Sequence, residues 1–429
     1  MNFLTILRRV FKAPDLRKKV LLTVFLLLVF RIIAHIPVPG IDTERLKSFF
    51  SQNQYLGLLD VFSGGSLTRF SIAAMGVNPY INATIIVQLL TMIVPKLEEI
   101  SKDGERGRHQ MNQYMRYLTV PLAAIQAFGL ILLFKSPSAA IFTNLTTFDT
   151  IQIILTLTVT SIILMWIGEL ITESGIGNGI SLLIFAGIVG RIPIELRNLA
   201  VSFSATNLMP LIILTTLTLA SIFLVVIVNE GQRQIPVTYA KRIRGNRMYG
   251  GANTHIPLKV NTAGVIPIIF ALSIMSFPTL IANFFTSAKS DWLRSVAAFV
   301  VKAFDPASLL YYAIYFVLVI GFTYFYTLIT FNPVDVADNL KKQGGFIPGI
   351  RPGQATVAYL SKILNRITLA GALFLGAIAV LPFVIQSTTK INSIVGGTSL
   401  LILVSVILET MRQMEAQLIM RDYEHFLER

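Results

Sequence analysis

Cysteine is absent from all 429 residues, which excludes a disulfide framework, a thiolate nucleophile and any cysteine metal site. Histidine is nearly absent: His35, His109, His255 and His425 are scattered, and no H-E-x-x-H or similar spacing occurs. A zinc or iron centre is therefore not expected. Charge is also scarce, at 14% of residues where soluble domains carry about 25%. Hydrophobic residues make up 54% and the mean hydropathy is +0.69, which puts the chain in a bilayer.

A hydrocarbon core about 30 Å thick needs roughly 20 apolar residues per helix. On that rule spans are expected near 20–39, 76–95, 117–135, 150–171, 177–194, 209–229, 262–283, 309–331, 367–386 and 397–414. The fold class is then an all-α polytopic membrane protein of about ten helices. An even count divides into two five-helix halves, 20–194 and 195–414, flanked by residues 1–19 and a tail, 415–429. The N-terminus, MNFLTILRRVFKAPDLRKK, reads as a basic amphipathic helix lying on the membrane rather than a cleaved signal. The net charge of +14 sits on the N-terminus and on loops 96–116, 230–260 and 332–366. By the positive-inside rule both termini are cytoplasmic. The short loop from Glu169 to Gly179 lacks Lys and Arg but scarcely weakens that vote.

Chemistry that a membrane pathway could use is largely missing. Ion-coupled transport needs ionisable groups near the midplane, yet Arg31, His35, Glu169 and Glu409 all fall near span ends, within snorkelling reach of an interface. No serine has a partner histidine and no carboxylate pair lies inside a span, so catalysis is not expected. GIGNGIS at 175–181 lacks the phosphate-loop lysine and a preceding strand. It reads as a tight turn before a short helix.

One span is broken. Between Gly57 and Leu90 the run GLLDVFSGGSLTRFSIAAMGVNPYINATIIVQLL is interrupted by Ser63, Gly64, Gly65 and Ser66, carries Asp60 and Arg69, and restarts at Asn78-Pro79. Glycines permit turns and the proline favours a helix start. Irregular backbone at membrane depth survives only inside protein or beside a water-filled cavity, so residues 56–72 are expected inside the molecule, as a movable stopper would be. The uncharged polar residues Asn78, Asn82, Thr84 and Gln88, with Asn261 and Thr262, have two readings: interhelical glue, or a seam between helices that opens.

The segments QRQIPVTYAKR (232–242), IPLKVNTAGVIPIIFA (256–271), GIGNGIS, FIPGIRPG (346–353) and GGTSLLI (396–402) resemble, in order and over about residues 4–415, the hallmark segments of the SecY family, central subunits of the bacterial protein-translocation channel. The resemblance implies a clamshell around a central pore, a short plug helix after the first span, and a lateral gate between helices two, three, seven and eight. The pore ring it implies is Val77, Ile81, Ile180, Ile184, Ile269 and Ile402, with valine at 77 where isoleucine is common. Each of the first two pairs is spaced i,i+4 and shares a helix face. Gln88, Asn261 and Thr262 would line the gate, with Gln88 facing Asn261. The 230–260 and 332–366 loops would dock a SecA motor or the ribosome, through Lys241, Arg242, Arg244 and Arg351, since an arginine fork suits carboxylates and RNA phosphates. SecE, SecG, signal sequences, nascent chains and membrane lipids complete the implied partners, with no cofactor. The function implied is a passive protein-conducting channel in the cytoplasmic (inner) membrane of a bacterium, translocating secretory chains and releasing transmembrane segments sideways. A secondary transporter with a solute site at the broken helix, and a scaffold subunit without a pore, are the rival readings.

Overall fold

The computed structural model describes residues 9, 11–52, 60, 63–135, 141–142, 146–194, 197, 208–239, 242–244, 247–249, 253–285, 290–304, 308–389 and 397–427. In chain order the helices are α1 (Pro14–Ile33), α2 (Thr43–Gln52), α3 (Asn78–Ile93), α4 (Pro95–Lys102), α5 (Gly104–Lys135), α6 (Thr147–Ser174), α7 (Gly179–Val189), α8 (Leu208–Glu230), α9 (Ile266–Phe285), α10 (Asp291–Ala303), α11 (Leu309–Thr330), α12 (Pro333–Lys342), α13 (Gln354–Thr389) and α14 (Gly397–Leu427). The strands are β1 (Gln232–Tyr239), β2 (Arg242–Arg244), β3 (Arg247–Tyr249), β4 (Asn253–Lys259) and β5 (Gly345–Phe346). A helix stands at each place where a span is expected. Among the described residues, 5 helices are long and apolar enough to cross a membrane, or 6 if α3 and α4, bent by 105°, count as one broken span.

Local chemistry sets the helix ends. Pro79 stands in the first turn of α3, and Val94 before Pro95 is extended, at φ −102° and ψ 107°, because a residue preceding proline avoids the helical region. There the chain turns into α4. At the start of α6, the Thr146 side chain accepts from the Asp149 N–H at 3.2 Å while the Asp149 carboxylate accepts from the Thr146 N–H at 3.0 Å, a reciprocal cap.

The chain forms two compact units. The first comprises Met1–Asn207, Leu272–Tyr311 and Ile402–Arg429; the second comprises Leu208–Ala271 and Tyr312–Leu401. In the first unit, Leu46 and Phe49 of α2, Ala123, Ala127, Ile131 and Phe134 of α5 and Leu157 of α6 share a core with Leu67 and Phe70 from the broken span. The GIGNGIS turn is the tight turn expected. Asn178 caps α7 by accepting from Ser181 N at 3.1 Å, and Gly179 N donates to Thr172 Oγ1 at 2.9 Å. A Cβ on Gly179 would sit 1.8 Å from the Gly168 carbonyl oxygen, so α7 lies directly on the backbone of α6.

The second unit contains strands that charge and loop length did not announce. β1 pairs antiparallel with β4 from Gln232↔Lys259 to Thr238↔Asn253, and β5 adds at the far end through Tyr239↔Gly345. Ile235 and Val237 of β1 point inward beside Leu258, Leu340 of α12, Ile347, and Leu360 and Ile363 of α13. The 230–260 and 332–366 loops are therefore not separate: they share one apolar core. Below it α8 packs on α13, and a Cβ on Gly371 of α13 would lie 2.4 Å from the Val260 carbonyl oxygen.

Gly179 and Gly264 separate steric from conformational demand. Gly179→Ala drives a methyl into the α6 backbone and should cost about 3 kcal/mol. Gly264→Ala, with φ +64° and nothing within 4 Å, should cost about 1 kcal/mol of left-handed strain. Thermal unfolding of the detergent-solubilised protein should show the larger drop for Gly179→Ala; equal drops would mean that the α6–α7 contact is not close-packed.

Candidate functional site

The broken span is held by its own carboxylate. Asp60 is 1% exposed, and an uncompensated charge at such a site is untenable. Its Oδ1 accepts from Ser63 Oγ at 3.1 Å, Leu67 N at 2.9 Å and Thr68 N at 3.0 Å. Its Oδ2 accepts from Thr68 Oγ1 and from Arg191 Nη1, the latter at 2.8 Å. The ion-pair partner is thus Arg191, just past α7, and not the exposed Arg69. Ser66 is fully buried, and its hydroxyl has no hydrogen-bond partner among the described residues.

A second arginine holds the backbone. Arg31, near the end of α1, donates to the Gly64 carbonyl at 3.1 Å and to the Gly190 carbonyl at 3.4 Å. Gly64 (φ +69°) lies against Gly187 of α7, where an added Cβ would meet the Gly187 Cα at 2.7 Å. Gly65 (φ +84°) lies against the aliphatic part of Arg191. Only glycine meets both demands at position 64, close approach and a left-handed φ.

Further along, the segment joins the core. Val38 N donates to Phe70 O at 3.0 Å and Ile72 N to Ile36 O at 2.9 Å. Phe70 is fully buried and packs edge-on against Phe134 at 5.2 Å and Phe142 at 5.6 Å. It is the one non-glycine residue with positive φ, at 43°, among the described residues. Such strain persists where surrounding packing over-determines it. Of the stretch 56–72, then, the part from Leu67 onward is packed framework, and the part around Asp60 and Ser63 to Ser66 is pinned by polar groups. Residues 56–59, 61 and 62 lie outside the described residues.

Of the six residues of the implied ring, Val77, Ile81, Ile184, Ile269 and Ile402 are buried and Ile180 is half-buried. Val77 precedes α3, and Ile81 N donates to its carbonyl at 3.1 Å. Ile180 Cδ1 lies over Gly168, where a Cβ would be only 2.5 Å away. Ile269 belongs to the second unit and the other five to the first.

Of the implied gate, Gln88 lies on α3 with its Oε1 buried and lacking a partner among the described residues, as does Asn82 Oδ1. Asn261, 6% exposed, donates from Nδ2 to Asn229 Oδ1 on α8 at 2.8 Å, while its own Oδ1 is unpartnered. Thr262 Oγ1 donates to Lys259 O at 3.0 Å. Of the implied docking residues, Arg351 is exposed in a turn between Gly349 and Gly353, with its carbonyl accepting from Thr356 Oγ1 at 3.0 Å. The backbones of Arg242 and Arg244 form β2, and Lys241 lies outside the described residues.

Sequence reasoning missed Arg191 and Asn229, and it left Arg31 and Glu169 to snorkel. Arg31 instead anchors the broken span, and Glu169, with a 12% exposed side chain, accepts from Arg116 Nε at 2.9 Å between α6 and α5. One signal was available: an acidic residue inside a broken apolar stretch requires a cation somewhere, and Arg191 closes a short apolar helix.

The family model described as SecY matches residues 71–411. The protein translocase subunit SecY of Halalkalibacterium halodurans is 47% identical over 429 residues, covering 97% of this chain and 98% of that one. Its counterpart from Streptomyces scabiei is 44% identical and covers 99% and 100%. A solved protein-conducting channel shares the fold at a TM-score of 0.64 with 19% identity, covering 93% and 91%. Sec61 in a canine ribosome–channel complex does so at 0.59 with 18% identity, covering 93% and 91%. With helices at the expected places, a broken span packed within the first unit, and these matches over nearly the whole length, the chain belongs to the SecY family of protein translocase subunits.

Proposed function

We propose that this chain is a passive protein-conducting channel: it translocates secretory polypeptides across the cytoplasmic membrane, releases transmembrane segments laterally into it, and catalyses no reaction. The observation that carries this reading is the pinned broken span. A segment whose polar part, Asp60 and Ser63 to Ser66, is tied to its neighbours by one buried ion pair and one arginine-to-backbone hydrogen bond, while only the part from Leu67 onward joins the apolar core, is built to be released at its polar part. In this reading residues around Asp60, Ser63, Gly64, Gly65 and Ser66 are the plug. Val77, Ile81, Ile180, Ile184, Ile269 and Ile402 form the aliphatic ring that closes around an extended chain. Gln88, Asn261 and Thr262 line the lateral gate.

The energy comes from partners. The shared core beneath the two basic cytoplasmic loops supports a single docking surface, with Arg351 at an exposed turn and Arg242 and Arg244 on a hairpin. The ribosome-bound relative of the same fold favours a ribosome contact there, and the SecA motor is the alternative user of the same surface. SecE and SecG are the expected small membrane subunits, and the multi-pass chain has both termini in the cytoplasm by its loop charges.

Deleting 56–72 would remove Leu67 and Phe70 from the core, so it is a poor test of a stopper. Arg191→Gln is a cleaner one. Removing one partner of a buried pair costs about 3–5 kcal/mol, reduced here because the Arg191 side chain is 28% exposed. About 1–2 kcal/mol, a roughly tenfold shift toward the released state, is expected. Vesicles holding Arg191→Gln should leak ions and the variant should export substrates with weakened signal sequences, with the folded protein recovered in full. Wild-type conductance in that variant would refute the plug assignment. For docking, Arg351→Glu should weaken SecA or ribosome binding and translocation, while membrane insertion of the chain itself stays normal. Unaltered partner affinity would remove Arg351 from the surface.

A further inference from the structure

Helix α10 has no role in the pore, the plug or the docking surface, yet its residues sort into three sectors. Leu293, Ala297 and Val300, spaced i, i+4 and i+7, form the inward side, and Ala297 is buried. Trp292, Val296 and Phe299, with the same spacing, are 72%, 42% and 69% exposed. Asp291, Arg294, Ser295 and Lys302, with the small Ala298 among them, make a polar side. With 13 residues, the helix is about 20 Å long and too short to cross a core of about 30 Å. Its polar side also excludes full immersion.

We infer that α10 is an interfacial lipid-binding helix, which lays Trp292, Val296 and Phe299 into the boundary between phospholipid headgroups and acyl chains. The occupant follows from continuity. Five residues separate α10 from α9 and five from α11, and the flanking apolar helices end and begin with exposed Ile281, Phe285, Leu309 and Leu310. One lipid-facing surface therefore runs through α10 from its neighbours. Tryptophan suits the boundary, since its ring is apolar and its N–H polar. Arg294 Nη2 is paired with Asp291 Oδ1 at 2.6 Å, which leaves Lys302 as the net charge of the helix. Apolar depth rather than headgroup charge therefore determines binding, and phospholipid of either charge serves. By the loop charges this is the outer leaflet, and α10 tethers there the segments that, in the family reading, flank the lateral gate.

The chain contains 2 tryptophans and 0 cysteines, which gives clean probes in the full-length protein. Trp166, 61% exposed on α6, is replaced by phenylalanine, leaving Trp292 as sole emitter in phosphatidylcholine vesicles. Trp292 emission should be lost more to lipid brominated high on the acyl chain than to lipid brominated near its end, should resist aqueous iodide, and should behave alike in anionic vesicles. In single-cysteine variants, Ser295→Cys should react with a membrane-impermeant maleimide and Phe299→Cys should not. Quenching of Trp292 by iodide, by neither agent, or only in anionic vesicles would overturn the inference, as would equal labelling of the two cysteines. The inference rests on the membrane reading of the flanking helices, and the reciprocal Trp292→Phe protein tests that separately: Trp166 must be quenched by brominated lipid.

Discussion

A carboxylate buried in a membrane protein must be neutralised or paired, and that constraint organises the first unit. Asp60 forces Leu67 and Thr68 to present their N–H groups, Ser63 and Thr68 their hydroxyls, and Arg191 its guanidinium. These demands fold residues 63–68 into a compact turn around the Asp60 carboxylate. They also fix that turn to the end of α7, which in turn rests on α6 through glycine-to-backbone contact. Apolar packing alone could not do this reversibly. Hydrophobic surface once buried is released only by exposing it, whereas an ion pair can exchange one polar partner for another, water included.

The helices were legible because lipid imposes length and apolarity on each span without reference to its neighbours. The turn at GIGNGIS was legible for a similarly local reason, since Asn178 and the glycines carry the cap and the clearance themselves. The hairpin was not. QRQIPVTY places only Ile235 and Val237 inward, too few to outweigh a loop rich in arginine, and the core that stabilises it comes from α12 and α13, a hundred residues later. Arg191 escaped for the same reason, since its meaning depends on Asp60, 131 positions away.

The polar residues of α3 and of the segment before α9 show how little sequence says about pairing. Asn261 could be recognised as a buried amide, but its partner Asn229 lies on α8, where an asparagine at the end of an apolar helix reads as a mere boundary. Buried oxygens on Asn82, Gln88 and Asn261 lack donors among the described residues. Each is an acceptor held out of water, which is costly to leave unmatched and therefore favours any arrangement that brings in a donor.

The shared core of β1, β4, α12 and the start of α13 has a mechanical consequence. A hairpin with its own core would flex under load; this one is continuous with a helix of 36 residues, about 54 Å long. Val260 sits on Gly371 with no room for a side chain between them, so there is little slack at that joint. The two basic loops thus behave as a handle fixed to a shaft: force applied to either loop arrives as torque along α13, and the stiffness of that joint sets how much of it reaches the far end of the helix.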